Sequence, residues 1–160
     1  MWSEAAARLK AAFTRVVASA VAAALAYWLA RALLGQPRPI FAAITAIICL
    51  APGILNHFRQ SVNLLIGVTI GIVMGELVFL IPQEIGELRI AIAVFVAMFL
   101  GSALSPLPVV PIQAGVSALL VILMGPQTAG VPRFLDVIIG IVVGLTIAVV
   151  FFRSRLKISD

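Results

Sequence analysis

The stretch Gly125-Pro-Gln-Thr-Ala-Gly-Val-Pro-Arg-Phe-Leu-Asp-Val-Ile-Ile-Gly-Ile-Val-Val-Gly-Leu-Thr-Ile-Ala-Val-Val-Phe-Phe152 decides how the rest of the chain is read. It is an apolar helix entered by a turn, with Pro132 in its first turn and Arg133 and Asp136 on one face at i and i+3. Gly140 and Gly144 follow four residues apart and clear a strip for a neighbouring helix. An acid and a base beside a bilayer-spanning run are unusual, because each costs roughly 2.5 to 3.5 kcal/mol at depth on insertion scales. A structural or functional reason is therefore expected for this pair.

Composition fixes the class. With 160 residues, 63% hydrophobic and 11% charged, and a mean hydropathy of +1.23, the chain is too apolar for a soluble domain and reads as an all-α membrane protein. Six transmembrane helices account for nearly all of it, leaving no stretch for a soluble domain. The net charge of +5 does not point to nucleic acid, because the bases sit in short loops and tails around apolar runs, as positive-inside patterning places them. The first residues lack the small-residue cleavage site of a secretory signal, so Met1 onward is expected to be mature protein. Cys49 is the lone cysteine and lies in an apolar run, where it reads as a packed thiol. One His, one Cys and a single intramembrane Asp supply no metal cluster, nucleophile-base pair or aspartyl dyad, so no metal, cofactor or enzymatic activity is expected.

Met1 to Arg15 forms an amphipathic lead that is expected to run straight into a first span over about residues 12–34, ending in a belt of Tyr27, Trp28 and Arg31. A second span, about 39–55, is interrupted by Pro52-Gly53, which predicts a frayed or kinked end. The third, about 61–81, carries Gly67, Gly71 and Gly75 on one face, with Asn63 and Glu76 as polar intruders. Pro82 to Arg89 reads as a turn. The fourth span is about 89–103, and the proline-rich Ser105–Pro111 joins it to the fifth, about 109–124.

The two halves, about 8–83 and 84–155, resemble each other. Pro39-Ile-Phe-Ala-Ala-Ile-Thr-Ala-Ile47 matches Pro111-Ile-Gln-Ala-Gly-Val-Ser-Ala-Leu119 at an offset of 72, and Asn63, Gly67 and Gly71 match Asp136, Gly140 and Gly144 at an offset of 73. Arg59 lies near the counterpart of Arg133. Three helices per half is an odd number, so the halves would be two inverted three-helix repeats. Inverted repeats point towards transport.

Arg133-Phe-Leu-Asp136 followed by Gly140, with Pro39-Ile-Phe-Ala-Ala-Ile-Thr-Ala-Ile-Ile48 and the stepped glycines of the third span, resembles the aromatic acid exporter superfamily, which includes fusaric acid resistance-like proteins. The similarity runs from about Arg15 to Phe152. It implies a six-helix membrane domain, usually oligomeric, that exports aromatic or other organic carboxylates. Plant aluminium-activated malate channels are distant relatives of this superfamily. The pattern departs at Leu64, where many relatives carry a base, and in the soluble domain that many relatives append.

Two readings stand for each candidate residue. Asp136 complements the N-terminal end of its own helix and pairs with Arg133, or it serves transport; Arg133 is a snorkelling anchor or a cation that attracts a carboxylate. Glu76 either reaches the interface or faces a cavity as a proton carrier. Phe41, Thr45, Gln113 and Ser117 occupy repeat-equivalent positions and offer a ring, an amide and hydroxyls to a substrate, or simply pack. The expected function is a secondary transporter exporting organic anions, proton-coupled, with Arg133 and Arg59 at the two ends of the path and Glu76, Asp136 and Asn63 as polar members. A passive anion channel and a non-transporting membrane subunit are the alternatives. The expected setting is the inner membrane with both termini cytoplasmic, since seven of the 11 bases would then face inward. Organic anion, lipid bilayer and a second copy in a homodimer or other homo-oligomer are the expected partners.

Overall fold

The computed structural model describes residues 2–50, 56–80 and 86–152, and among these every regular element is helical. A bilayer offers no water to backbone amides, so an apolar chain satisfies them within helices. In chain order these are α1 (Trp2–Leu34), α2 (Ile40–Leu50), α3 (His57–Leu77) continuing as a 3-10 turn (Val78–Leu80), α4 (Gly86–Leu104), α5 (Val109–Met124), the one-turn α6 (Pro126–Ala129) and α7 (Val131–Phe152). Four segments are long and apolar enough to cross a membrane: Ala12–Leu34, His57–Leu80, Gly86–Leu104 and Pro126–Phe151. The other two predicted spans are the shorter helices α2 and α5. The expected break at Pro52-Gly53 and the C-terminal bases Arg153, Arg155 and Lys157 lie outside the described residues.

The chain divides into two compact units, one of residues 1–58 with 136–160 and one of 59–135. In the first, Ala18, Ala22, Ala26 and Ala30 form a fully buried stripe at i+4 spacing on α1. It packs with Ala42, Ala46 and Leu50 of α2 and with Val143, Ile147 and Ala148 of α7. Side chains this short let backbones approach closely, which is how helices associate where lipid gives no hydrophobic drive. A Cβ on Gly140 would stand 2.5 Å from the Ala42 carbonyl oxygen and 2.6 Å from Thr45 Cβ, and one on Gly144 would stand 2.9 Å from Cys49 Cβ. The last carbonyls of α2 have no partner within their own helix. His57 Nδ1 donates to the Cys49 carbonyl at 2.7 Å, and Ser19 Oγ donates to that of Leu50 at 3.4 Å.

In the second unit the stepped glycines of α3 face α5. Gly67 meets Val110 and Gln113, Gly71 meets Ala114 and Ser117, and Gly75 meets Ala118 and Val121. The proline-rich join between α4 and α5 is a tight turn in which Ser105 Oγ accepts a bond from the Leu107 amide at 3.2 Å. Ala97, Ala114 and Ala118 form a small buried cluster there with Ile70 and Met74. α4 begins at Gly86, ahead of the predicted start near residue 89, and the first part of the predicted turn, residues 82–85, lies outside the described residues. Arg89 thereby joins the helix and is only 6% exposed.

In both units the third helix of one sequence half lies on the second helix of the other: α3 on α5, and α7 on α2. The packing register differs from the residue register. Gly140 rests on Ala42 and Thr45, and it is Gly71, an offset of 69, that rests on the matching pair Ala114 and Ser117. The residue pattern had aligned Gly140 with Gly67, one helical turn away. Three glycines in a row of fours fit either alignment, so only the contact distinguishes them.

Candidate functional site

α5 ends where Gly125 adopts φ 82° and its amide bonds back to the Val121 carbonyl. Pro126 then starts α6, and Gly130 closes it with an amide bond to the Pro126 carbonyl at 2.9 Å. This elbow brings the first five residues of α7 into the second unit. Arg133 is carried in with them. It is 4% exposed, and its Nε donates to Ser117 Oγ at 3.2 Å. Ser117 is itself fully buried, with its Cβ against Gly71, so a single residue joins the α3–α5 contact to the cation of α7.

Glu76 lies at the same end of this unit. A Cβ on Gly130 would stand 2.8 Å from Glu76 Oε1 and 2.5 Å from the Pro126 carbonyl oxygen. Glu76 is exposed, and its carboxylate lies against Gly130 at the start of α7. The position needs glycine because both a backbone oxygen and the carboxylate occupy the space a side chain would take. The sequence offered Gly130 only as a turn residue.

The other candidates are placed as follows. Asp136 is 1% exposed and belongs to the first unit, as do Phe41, which is half-buried, and Thr45, which is buried with its methyl face on Gly140. Gln113 is half-buried beside Gly67 in the second unit. Asn63 is buried there, and its Nδ2 has no hydrogen-bond partner among the described residues. Arg59 is exposed near the start of α3. It precedes Gly71 by 12 residues, roughly 18 Å along a helix, so it is not brought to Arg133. Among the described residues no group of His, Cys, Asp and Glu could hold a metal ion.

One cation was missed. Arg89 of α4 lies with its guanidinium carbon 4.6 Å from the centre of the Phe79 ring, and its Nε and Nη2 are buried without a hydrogen-bond partner among the described residues. Its position beside a predicted turn made it look like an ordinary flanking base.

Long apolar helices with charged side chains buried among them make this a multi-pass membrane protein. The chain belongs to the fusaric acid resistance protein-like family, whose pattern matches residues 21–147. It is 28% identical to an uncharacterized protein of Corynebacterium glutamicum over 93% of this chain and 39% of that one. It is 26% identical to a Mycobacterium tuberculosis protein named “Putative arylamide transporter” over 91% of this chain and 42% of that one. The chain thus spans about two fifths of the length of these curated relatives. No solved structure matches it.

Proposed function

We propose that this chain is a membrane domain of a secondary transporter that exports aromatic or other organic carboxylates, with Arg133 as the principal anion-attracting residue and Glu76 as the proton carrier. The observation that carries this reading is the burial of Arg133 at the head of an apolar helix, where its Nε is aimed at Ser117. A base so placed costs several times thermal energy in a bilayer, and a guanidinium is the side chain best matched to a carboxylate. Family membership and the name of the mycobacterial relative support transport and an aromatic ring.

The two halves are read as inverted repeats. The matching contacts beneath Gly71 and Gly140 support this, with the third helices displaced by one turn from the residue alignment. In that register the counterpart of Arg133 is Leu64 and that of Asp136 is Gly67. Arg133 then has no charged counterpart in that register, and the exposed Arg59 and the buried Asn63 lie elsewhere on α3. Phe41 and Thr45 of the first unit and Gln113 and Ser117 of the second are the proposed substrate contacts within each unit.

Proteoliposome flux of benzoate, with and without a pH gradient, tests the assignment. The gradient is expected to accelerate wild-type flux about tenfold. Glu76→Gln is expected to remove that dependence while leaving downhill flux within about twofold. Wild-type flux that ignores the gradient would instead indicate a channel and sink the coupled mechanism.

The same reading places both termini in the cytoplasm and the working unit as a homodimer in the inner membrane. With Cys49 replaced by Ala, a cysteine introduced at Ser3 should react only when the cytoplasmic face is open to the reagent. Labelling from both faces of intact cells would contradict a single orientation.

A further inference from the structure

We propose that Arg89 is a second anion site, one that pairs with two oxygens of a single anion, either a carboxylate or the phosphate of a lipid headgroup. Arg89 stands in the first turn of α4 and is 6% exposed. The Phe79 ring covers one face of its guanidinium at 4.6 Å, which fixes the plane of the group and strengthens its charge contact. What remains is the edge. The two nitrogens without a partner among the described residues are Nε and Nη2, and these two N–H groups lie side by side on one edge of the guanidinium, spaced for the two oxygens of one anion.

A buried charged donor left without an acceptor is among the costliest features a fold can retain, more so when two donors on one edge are involved. Among the described residues no ordinary acceptor removes it. Glu87, the acidic residue of the same helical turn, is exposed and is not an acceptor for either nitrogen. The α4 N-terminus adds amides of the same sign as Arg89, because a helical side chain leans back over the turn before it. Phe79 follows Glu76 by three residues on the α3 end that also carries the elbow at Gly130. Arg133 is held at Ser117, on the level of Gly71, so this second cation lies about two turns nearer the end of the unit. It is a separate site, chemically suited to capture an anion before or after the first.

The Nε–H resonance of Arg89, assigned by its loss in Arg89→Lys, reports occupancy directly. In maltoside micelles, which carry no phosphate, adding benzoate or a short-chain phosphatidylglycerol is expected to move that resonance saturably. Movement with benzoate identifies a soluble carboxylate as occupant, and movement with the phospholipid alone identifies a headgroup. Arg89→Lys keeps the charge but loses the paired edge, so it should need about tenfold more of the active anion for equal thermal stabilisation. Arg133→Gln should leave the Arg89 response intact, which separates this site from the transport reading. A resonance that neither anion moves, or equal anion affinity in wild type and Arg89→Lys, would overturn the proposal.

Discussion

Leucine in place of Gly71 is expected to leave no folded protein. A single Cβ there would overlap the Ala114 carbonyl oxygen and stand 2.5 Å from Ser117 Cβ. The first of these atoms is backbone, so relief requires α3 and α5 to part along their length. Overpacking of a core costs about 1 to 3 kcal/mol when side chains can shift, and here the obstacle cannot rotate away. Separation would also pull Ser117 from its contact and release the Arg133 bond. Gly75→Ala should be milder, since its nearest obstacle is the Val121 side chain at 2.7 Å. Gly86→Ala serves as the control, with nothing within 4 Å of its Cβ. Size-exclusion profiles and SDS titration followed by circular dichroism would rank the three. A Gly71→Leu protein that resists SDS as wild type does would refute the close α3–α5 contact.

Benzoate flux through Arg133→Gln should fall by about ten- to a hundredfold, the equivalent of one lost charge-assisted hydrogen bond. Folding should suffer less. A glutamine amide can still donate towards Ser117 Oγ, so that contact is kept. Ser117→Ala should keep the cation and lose only one neutral acceptor, so flux should drop by less than about tenfold. The pair of variants separates charge from positioning. Wild-type flux in a well-folded Arg133→Gln protein would remove Arg133 from the path, and with it the principal support for the transport reading.

Much of the helical layout could be read from the sequence because it depends on local properties. α5 occupies the predicted 109–124, and α1 continues from the amphipathic lead through the first span. Runs of apolar residues bounded by Pro and Gly specify such elements by themselves. The register between α3 and α7 could not be read that way. Gly67, Gly71 and Gly75 repeat at the spacing that defines the match, and only their contacts with Val110, Ala114 and Ala118 select one alignment. The prominence of Arg133 was visible from its charge inside an apolar run, but its partner Ser117 was suggested only as a repeat position. Arg89 was overlooked because burial is a tertiary property, set by Phe79 on another helix. Gly130 was overlooked for the same reason: Glu76 lies 54 positions earlier in the chain.

The exchange of third helices constrains the order in which the chain can be made. Synthesis delivers α1 and α2 ahead of α3, α4 and α5, yet their unit includes α7, which follows all of these. α3 emerges next with its glycine face bare until α5 has been translated. The unit begun second is therefore complete at residue 135, whereas the unit begun first must wait for the chain beyond it. Until α7 is made, the face of nascent α2 that will meet Gly140 and Gly144 stays open to lipid, the insertion machinery or a neighbouring nascent chain.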